Sequence, residues 1–166
     1  QIIMKAGGDP ICVVTADFNN DEYPDLAVLN YRDQSIYIYL NLRFGKFRKK
    51  AGHLKPGKIP INMTTGDFNG DGIYDLAVTM RYHKVVTFLG KGRGRFRSPL
   101  AIPVKGQPTA IVVGDYDRDK TVDVALALAG RAGLPRTDEP LRNGLAEELP
   151  GAISEEYSSN SSGGEV

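Results

Sequence analysis

Short apolar runs and carboxylate-rich turns alternate along the first 130 residues of the chain. Three pairs of apolar runs flank such turns, and two later runs are rich in Tyr, Ile, Val and Phe. Together they predict strands at 11–15, 26–29, 35–40, 61–65, 76–79, 85–89, 109–113 and 124–128. After Gly-containing turns, Phe47 and Phe96 are expected to open fourth, outer strands. No segment before residue 130 keeps a helical period, so the pattern predicts an all-β fold.

One sequence unit recurs three times within this pattern. The copies read GGDPICVVTADFNNDEYPDLAVLN at 7–30, GKIPINMTTGDFNGDGIYDLAVTM at 57–80 and GQPTAIVVGDYDRDKTVDVALAL at 106–128. The equivalent aspartates, Asp17, Asp67 and Asp115, follow one another at spacings of 50 and 48 residues. A four-stranded unit of about 40–50 residues has the size of a propeller blade. The repeats therefore predict β-propeller blades.

The array of blades is predicted to be incomplete. We place blades at about residues 8–56 and 57–105 and a partial blade at 106–130, because the third copy stops after its second strand. Residues 2–10 align with residues 100–108, which predicts the last strand of a preceding unit. Since propellers typically close with about 4–8 blades, we expect this chain to be a fragment of a larger propeller.

Residues 131–166 differ from the array in both pattern and charge. They lack period-2 alternation, and Ser, Gly and Glu dominate their end, which predicts a disordered tail or a linker. Residues 1–130 carry 18 Lys and Arg against 13 Asp and Glu, a net charge of +5. Residues 131–166 carry 3 Arg against 7 acids, a net charge of −4. The domain boundary is therefore placed at residue 130.

The candidate chemistry lies in a nine-residue loop between the first two strands of each unit. The loops at 17–25, 67–75 and 115–123 carry oxygen side chains at positions 1, 3, 5 and 9, and position 7 offers a backbone carbonyl. Ca²⁺ takes about six to eight oxygen ligands, and carboxylates this dense repel one another unless a cation lies among them. The predicted calcium ligands are Asp17, Asn19, Asp21, Tyr23, Asp25, Asp67, Asn69, Asp71, Ile73, Asp75, Asp115, Asp117, Asp119, Thr121 and Asp123.

Other interpretations of these loops fit less well. An EF-hand needs a Glu at position 12 and flanking helices, but position 12 is Val or Leu and strands are predicted on both sides. Asp, Asn and Gly also form ordinary turns, yet three copies in register favour a metal. Position 6 usually has a left-handed backbone, which Gly72 adopts without strain and Glu22 and Lys120 do not. Loop 67–75 is therefore predicted to bind calcium most tightly.

The loops and their flanks resemble a known repeat. The Gly-x-x-Pro opening, the DFNGDGIYDLAV core at 67–78 and the Gly-x-Gly-x-Phe exit are similar to the FG-GAP/VCBS repeat, over about residues 1–128. That family includes the calcium-binding blades of integrin α-chain propellers and many secreted bacterial proteins. The resemblance implies a seven-bladed propeller when complete, with calcium loops on one face and extracellular adhesion or ligand binding. Repeats of this family also occur in enzymes such as lyases and phospholipases.

The remaining signals indicate no catalytic site. The sequence has no Gly-x-Ser-x-Gly motif, and its paired carboxylates occur only in the metal loops, so no enzymatic activity is expected. His53 and His83 lie in predicted connections, and Cys12 is expected to be a small buried hydrophobe in a strand. No apolar stretch approaches about 18 residues, so no transmembrane helix is predicted.

The first functional hypothesis is a non-enzymatic, calcium-stabilised, secreted propeller segment that binds an extracellular protein or carbohydrate, as in cell adhesion. The alternative is the accessory propeller part of a secreted hydrolase or lyase whose active site lies outside this chain. Basic residues form a charge-protected outer edge or a patch for weak polyanion binding, without specific nucleic-acid binding. They are Arg43, Lys46, Arg48, Lys49, Lys50, Lys55 and Lys58, with Arg93, Arg95 and Arg97 in the next unit.

Overall fold

The computed structural model describes residues 3–49 and 53–129, which fold into antiparallel strands. The strands are β1 (Pro10–Ala16), β2 (Asp25–Asn30), β3 (Ser35–Asn41), β4 (Phe47–Lys49), β5 (Pro60–Gly66), β6 (Asp75–Met80), β7 (Lys84–Phe88), β8 (Leu100–Pro103), β9 (Gln107–Gly114) and β10 (Asp123–Ala129). Two four-stranded sheets have the orders β1-β2-β3-β4 and β5-β6-β7-β8, and a two-stranded sheet pairs β9 with β10. The predicted all-β fold of propeller blades in an incomplete array is confirmed.

The first strand of each blade lies beside that of the next blade, and in blades one and two the second strand is the most buried. β5 contacts both β1 and β9. β2 and β6 read DLAVLN and DLAVTM, and β6 is buried along its whole length. Such apolar runs fit a strand covered on both faces. One core cluster, which includes Leu29, Met63 and Leu76, joins blades one and two. A second, around Phe68 and Ile111, joins blades two and three.

The fourth strands differ from the prediction in blade two. Phe47 opens β4 as expected. Phe96 forms only an isolated bridge with Gly90, and the fourth strand of blade two begins at Leu100. Pro99 directly precedes that strand and has no N–H to donate, so regular pairing starts only after it. The prediction that Phe96 opens the fourth strand is therefore wrong for blade two.

The prediction of a strand at residues 2–10 is wrong for most of that segment. Pro10 already belongs to β1, and the described residues before Asp9 form no strand. Their place is fixed instead by isolated hydrogen bonds. Tyr39 Oη donates to the Lys5 carbonyl at 2.8 Å, and Gly7 N donates to Asn30 Oδ1 at 3.0 Å. The alignment with residues 100–108 implies a partner strand that no described residue supplies.

Several predictions fall outside the described residues. The boundary at residue 130, the tail at 131–166 and the basic residue Lys50 belong to this group, and they stay predictions. The described part of the chain contains no helix long and apolar enough to span a membrane.

Candidate metal centre

The last aspartate of the second loop is a buried anchor at the start of β6. The Asp75 side chain has an exposed fraction of 0%. Its Oδ2 accepts a hydrogen bond from Phe68 N at 2.9 Å, within the loop. Its Oδ1 accepts one from Gly90 N at 2.7 Å, in the turn that follows β7. One carboxylate therefore ties the loop to the end of the third strand, through hydrogen bonds to a charged acceptor.

The first loop repeats this arrangement. Asp25 is fully buried, and its carboxylate accepts hydrogen bonds from Phe18 N at 3.1 Å and from Asn41 N at 2.7 Å. Asn41 is the last residue of β3, so the donor again comes from the end of the third strand. The sequence predicted this aspartate as a metal ligand but gave no sign of its backbone partners.

The third loop keeps only half of this arrangement. Asp123 is as buried as Asp75, and its Oδ2 accepts a hydrogen bond from Tyr116 N at 2.8 Å. Its Oδ1 is buried without a hydrogen-bond partner. Among the described residues, blade three has no third strand that could supply the second donor. The orphaned oxygen therefore lies where blade two supplies its second donor.

The first aspartate accepts backbone N–H groups from positions 5 and 6 in the first two loops. In the third loop it accepts only the N–H of position 6, and the N–H of position 5 donates to Asp117 instead. Asp67 Oδ1 accepts from Asp71 N at 3.1 Å, and Asp67 Oδ2 accepts from Gly72 N at 2.8 Å. The first loop forms the same two bonds to Asp17. The loop chain thus wraps around its first carboxylate, which brings position 5 back toward position 1.

Positions 5 and 7 are linked in the same way in all three loops. The N–H of position 7 donates to Oδ1 of position 5, at 3.0 Å between Tyr23 and Asp21 and at 2.9 Å between Ile73 and Asp71. In the third loop, Thr121 N donates to Asp119 at 2.7 Å. The predicted position-7 residues are therefore held inside the turn with the carboxylates.

The backbone at position 6 is left-handed in every loop, as predicted. The φ angles are 69° at Glu22, 77° at Gly72 and 74° at Lys120. Glu22 and Lys120 therefore adopt the left-handed conformation that glycine adopts without strain, and their Cβ atoms make it strained. Position 4 is left-handed as well, with φ of 67° at Arg118. The left-handed backbone at position 4 was not predicted from the sequence.

Within the described residues, three carboxylates converge in the third loop. Oxygen atoms of Asp115, Asp117 and Asp123 lie within 4.8 Å of one another. Asp119, the fourth predicted carboxylate, accepts the Thr121 hydroxyl at 2.6 Å as well as the Thr121 amide. The Thr121 hydroxyl and amide lower the pKa of Asp119 below its ordinary value. The third loop thus concentrates the negative charge that attracts a divalent cation.

An orphaned oxygen marks the first loop. Asn19 Oδ1, at position 3, is buried without a hydrogen-bond donor. Its own amide group donates to Asp21 Oδ2 at 3.1 Å, so the oxygen is presented separately. The equivalent Asn69 Oδ1 accepts a hydrogen bond from Asp71 N at 3.1 Å. A buried acceptor without a donor requires an explanation, and a bound ion is one of the accepted ones.

Burial makes the charged form of the position-9 carboxylates costly. Burial raises the pKa of Asp75 above its ordinary 3.8, the N–H groups of Gly90 and Phe68 oppose the rise, and the charges of Asp71 and Asp67 add to it. The pKa of Asp25 is raised chiefly by burial too. A nearby cation favours the ionised form of a carboxylate. The donor set, all oxygen and mostly anionic, therefore fits Ca²⁺.

A cross-blade contact that the sequence did not predict closes the first loop. Gly94 N, in the exit turn of blade two, donates to the Phe18 carbonyl at 2.7 Å. The Phe96 ring meets the Phe18 ring edge to face, with centroids 5.7 Å apart. The Gly-x-Gly-x-Phe segment at 92–96 predicted a turn, and Gly92 and Gly94 confirm it with φ of 66° and 63°. Its second role is to cover the carboxylate loop of the preceding blade.

The four-stranded sheets and their repeated carboxylate loops define a propeller-type repeat protein. The description FG-GAP-like repeat matches the sequence twice, at residues 17–78 and 67–126. These matches span well over half of the chain, and the chain belongs to the FG-GAP-like repeat family. No protein in the curated comparison matches it.

Proposed function

We propose that this chain is a non-enzymatic, calcium-binding propeller module that serves extracellular binding of a protein or carbohydrate. The observation that carries the calcium proposal is the set of three loops in register, in each of which the first carboxylate accepts the N–H of position 6. The convergence of Asp115, Asp117 and Asp123 and the orphaned Asn19 Oδ1 support it. The family resemblance supports the extracellular setting, and the lack of a nucleophile motif in the sequence supports a binding role.

In each loop, Ca²⁺ would be held by the side chains of positions 1, 3, 5 and 9 together with the position-7 carbonyl. The ion would supply positive charge where the carboxylates of one loop otherwise repel one another. The second loop has a glycine at position 6, and the third has the highest count of aspartates. We keep loop 67–75 as the tightest site, because Lys120 puts a positive charge in the third loop.

An open groove beside the second loop is the proposed place for a ligand. It has a volume of about 390 Å³ and lies between blades two and three. Asp67, Gly72 and Tyr74 line one side, and Val113 and Val122 line the other. The exposed Tyr74 offers an apolar face, and the Asp67 carboxylate offers hydrogen-bond acceptors. These groups suit a sugar or a polar peptide side chain.

Thermal unfolding in calcium and in chelator tests the calcium proposal. A ligand that binds only the native state stabilises it by about 2.7 kcal/mol at a hundredfold excess over its Kd. Calcium should therefore raise the Tm of the full chain. Asp71→Ala should remove most of this response, and Asp117→Ala a smaller part. Asp9→Asn, which changes an acid outside the loops, should leave the response intact. A Tm that is equal in calcium and chelator contradicts the proposal.

We also propose weak polyanion binding at the basic outer edge. In the described ranges, one ion pair forms, between Arg32 and Asp9 at 3.0 Å. The basic cluster therefore lacks carboxylate partners there; Lys49 instead lies 3.2 Å from the Tyr37 ring centre. Retention on an immobilised sulfated polysaccharide should fall with rising salt and increase with calcium. Equal elution in calcium and chelator, from protein folded in both, would contradict this proposal.

A further inference from the structure

Within the described residues, the third sheet has an open edge at a place that the other two sheets fill. β2 and β6 each lie between two strands, whereas β10 pairs only with β9 within the described residues. β6 is buried along its whole length, while the last three residues of β10 are exposed. Leu128 in this stretch is 42% exposed. An unpaired strand edge of this kind is a ready template for another strand.

Two further features lack the partner that the other blades supply. Asp123 Oδ1 is buried without a donor, although the equivalent oxygen of Asp75 accepts Gly90 N from the turn after β7. No described residue donates a backbone hydrogen bond to the Phe68 carbonyl, although the Phe18 carbonyl accepts Gly94 N. Both gaps lie where a third strand and its exit turn would be.

One element would fill all three gaps at once. In blade two, β7 pairs with β6, and the turn after β7 ends at Phe96. Within this turn, Gly90 N donates to the buried Asp75, and Gly94 N donates to the Phe18 carbonyl in the loop of blade one. We propose that the edge of β10, which no described residue pairs with, docks an antiparallel strand of another polypeptide that ends in a Gly-x-Gly-x-Phe turn. This is β-strand addition, in which backbone hydrogen bonds give affinity and alternate side chains give specificity.

The register of blade two specifies the ligand. Leu76 pairs with Phe88 and Val78 with Val86, so the equivalent residues of β10, Val124 and Leu126, face the same ligand positions. The incoming strand needs apolar side chains at these two positions. It also needs a backbone N–H two residues after the side chain that faces Val124, as Gly90 follows Phe88. Asp123 Oδ1 can accept that N–H and still leave lone pairs for a cation.

The test is peptide binding to the full chain in chelator, which separates it from the calcium proposal. The probe is a fluorescent peptide with the sequence of residues 84–97, KVVTFLGKGRGRFR, measured by anisotropy against a scrambled peptide. Peptide variants Gly90→Pro, which lacks the donor for Asp123, and Phe96→Ala should each bind about tenfold more weakly, as expected for loss of one strong contact. Because only the peptide is changed, differences in binding cannot come from a change in the stability of the protein.

Three outcomes would overturn the proposal. The first is equal binding of the native and scrambled peptides. The second is binding only after deletion of residues 131–166, which would assign the edge to the chain's own tail. The third is peptide binding only at protein concentrations low enough for a homodimer of this chain to dissociate, which would assign the edge to a second copy. Weaker binding by Asp123→Ala protein that keeps its wild-type circular dichroism would support the proposal.

Discussion

Blades two and three carry nearly the same loop sequence pattern but finish it differently. In blade two, Asp75 has a donor on each carboxylate oxygen, one from its own loop and one from the turn after the third strand. In blade three, Asp123 is equally buried and has only the loop donor. The motif therefore places the carboxylate, and the third strand completes its hydrogen bonds.

The junctions between blades show the same difference. Phe18 at the first junction is 1% exposed and lies against Phe96. Phe68 at the second junction is 7% exposed and packs in a cluster with Ile111 and Val122. An exit turn covers the first phenylalanine, and within the described residues no exit turn covers the second. Loop and turn thus act as one unit across two blades.

The largest expected effect tests this cross-blade unit. Phe18→Ala should reduce the free energy of unfolding by about 3–5 kcal/mol, since it removes a fully buried ring and leaves a cavity. Phe68→Ala should cost about 1 kcal/mol less, because the ring lacks an aromatic partner from the next blade. Urea unfolding in chelator measures both. Equal losses would mean that the exit turn adds nothing to the first junction.

The next effect compares the two buried aspartates. Asp75→Ala leaves the N–H groups of Phe68 and Gly90 without an acceptor, and an unsatisfied buried donor costs about 1–3 kcal/mol. Asp123→Ala leaves one such donor, at Tyr116, so its loss should be about half as large. The comparison is made by urea unfolding in chelator. If Asp123→Ala costs as much as Asp75→Ala, a further partner of Asp123 must exist.

The strands and the carboxylate loops were predictable because both depend on local pattern. Apolar runs such as DLAVTM and the spacing of aspartates at 67, 71 and 75 are visible along the chain. The left-handed backbone at position 6 was predictable as well, because a tight turn requires it. Local rules of this kind need no knowledge of which strands become neighbours.

The hydrogen bonds that join distant segments were not predictable. Asp75 and Gly90 are 15 residues apart, and no local sequence pattern around either residue predicts that they are in contact. The contact of Gly94 with Phe18 crosses from one blade to another, so it depends on how the sheets pack. The start of β8 was missed because the Phe96 signal is local, whereas Pro99 decides where regular pairing resumes.

A smaller effect concerns the strained residue at position 6. Lys120→Gly should raise the free energy of unfolding by about 0.5 kcal/mol, because relief of the left-handed strain exceeds the added entropy of the unfolded glycine. Gly72→Ala, the matched change in blade two, should lower it by about 1 kcal/mol. A Cβ at Gly72 meets no atom within 4 Å, so only the backbone is tested. A loss in both variants would show that Lys120 makes a stabilising contact of its own.

The smallest effect is a pH dependence of opposite sign in the two blades. The pKa of Asp75 is raised by burial, so in chelator its contribution to stability falls as pH rises from 3.8 through its folded pKa. The pKa of Asp119 is lowered, first by the Thr121 hydroxyl, so its contribution is present above 3.8 and is lost as pH falls through its folded pKa. Unfolding free energies measured from about pH 3 to about pH 7 should therefore show the wild type losing stability relative to Asp75→Asn, and gaining it relative to Asp119→Asn, as pH rises. We expect both changes to be small, because backbone N–H groups oppose the rise in the pKa of Asp75 that burial causes, and because solvent surrounds Asp119. Slopes of the same sign in the two comparisons would contradict the assignment of burial to the second loop and hydroxyl bonding to the third.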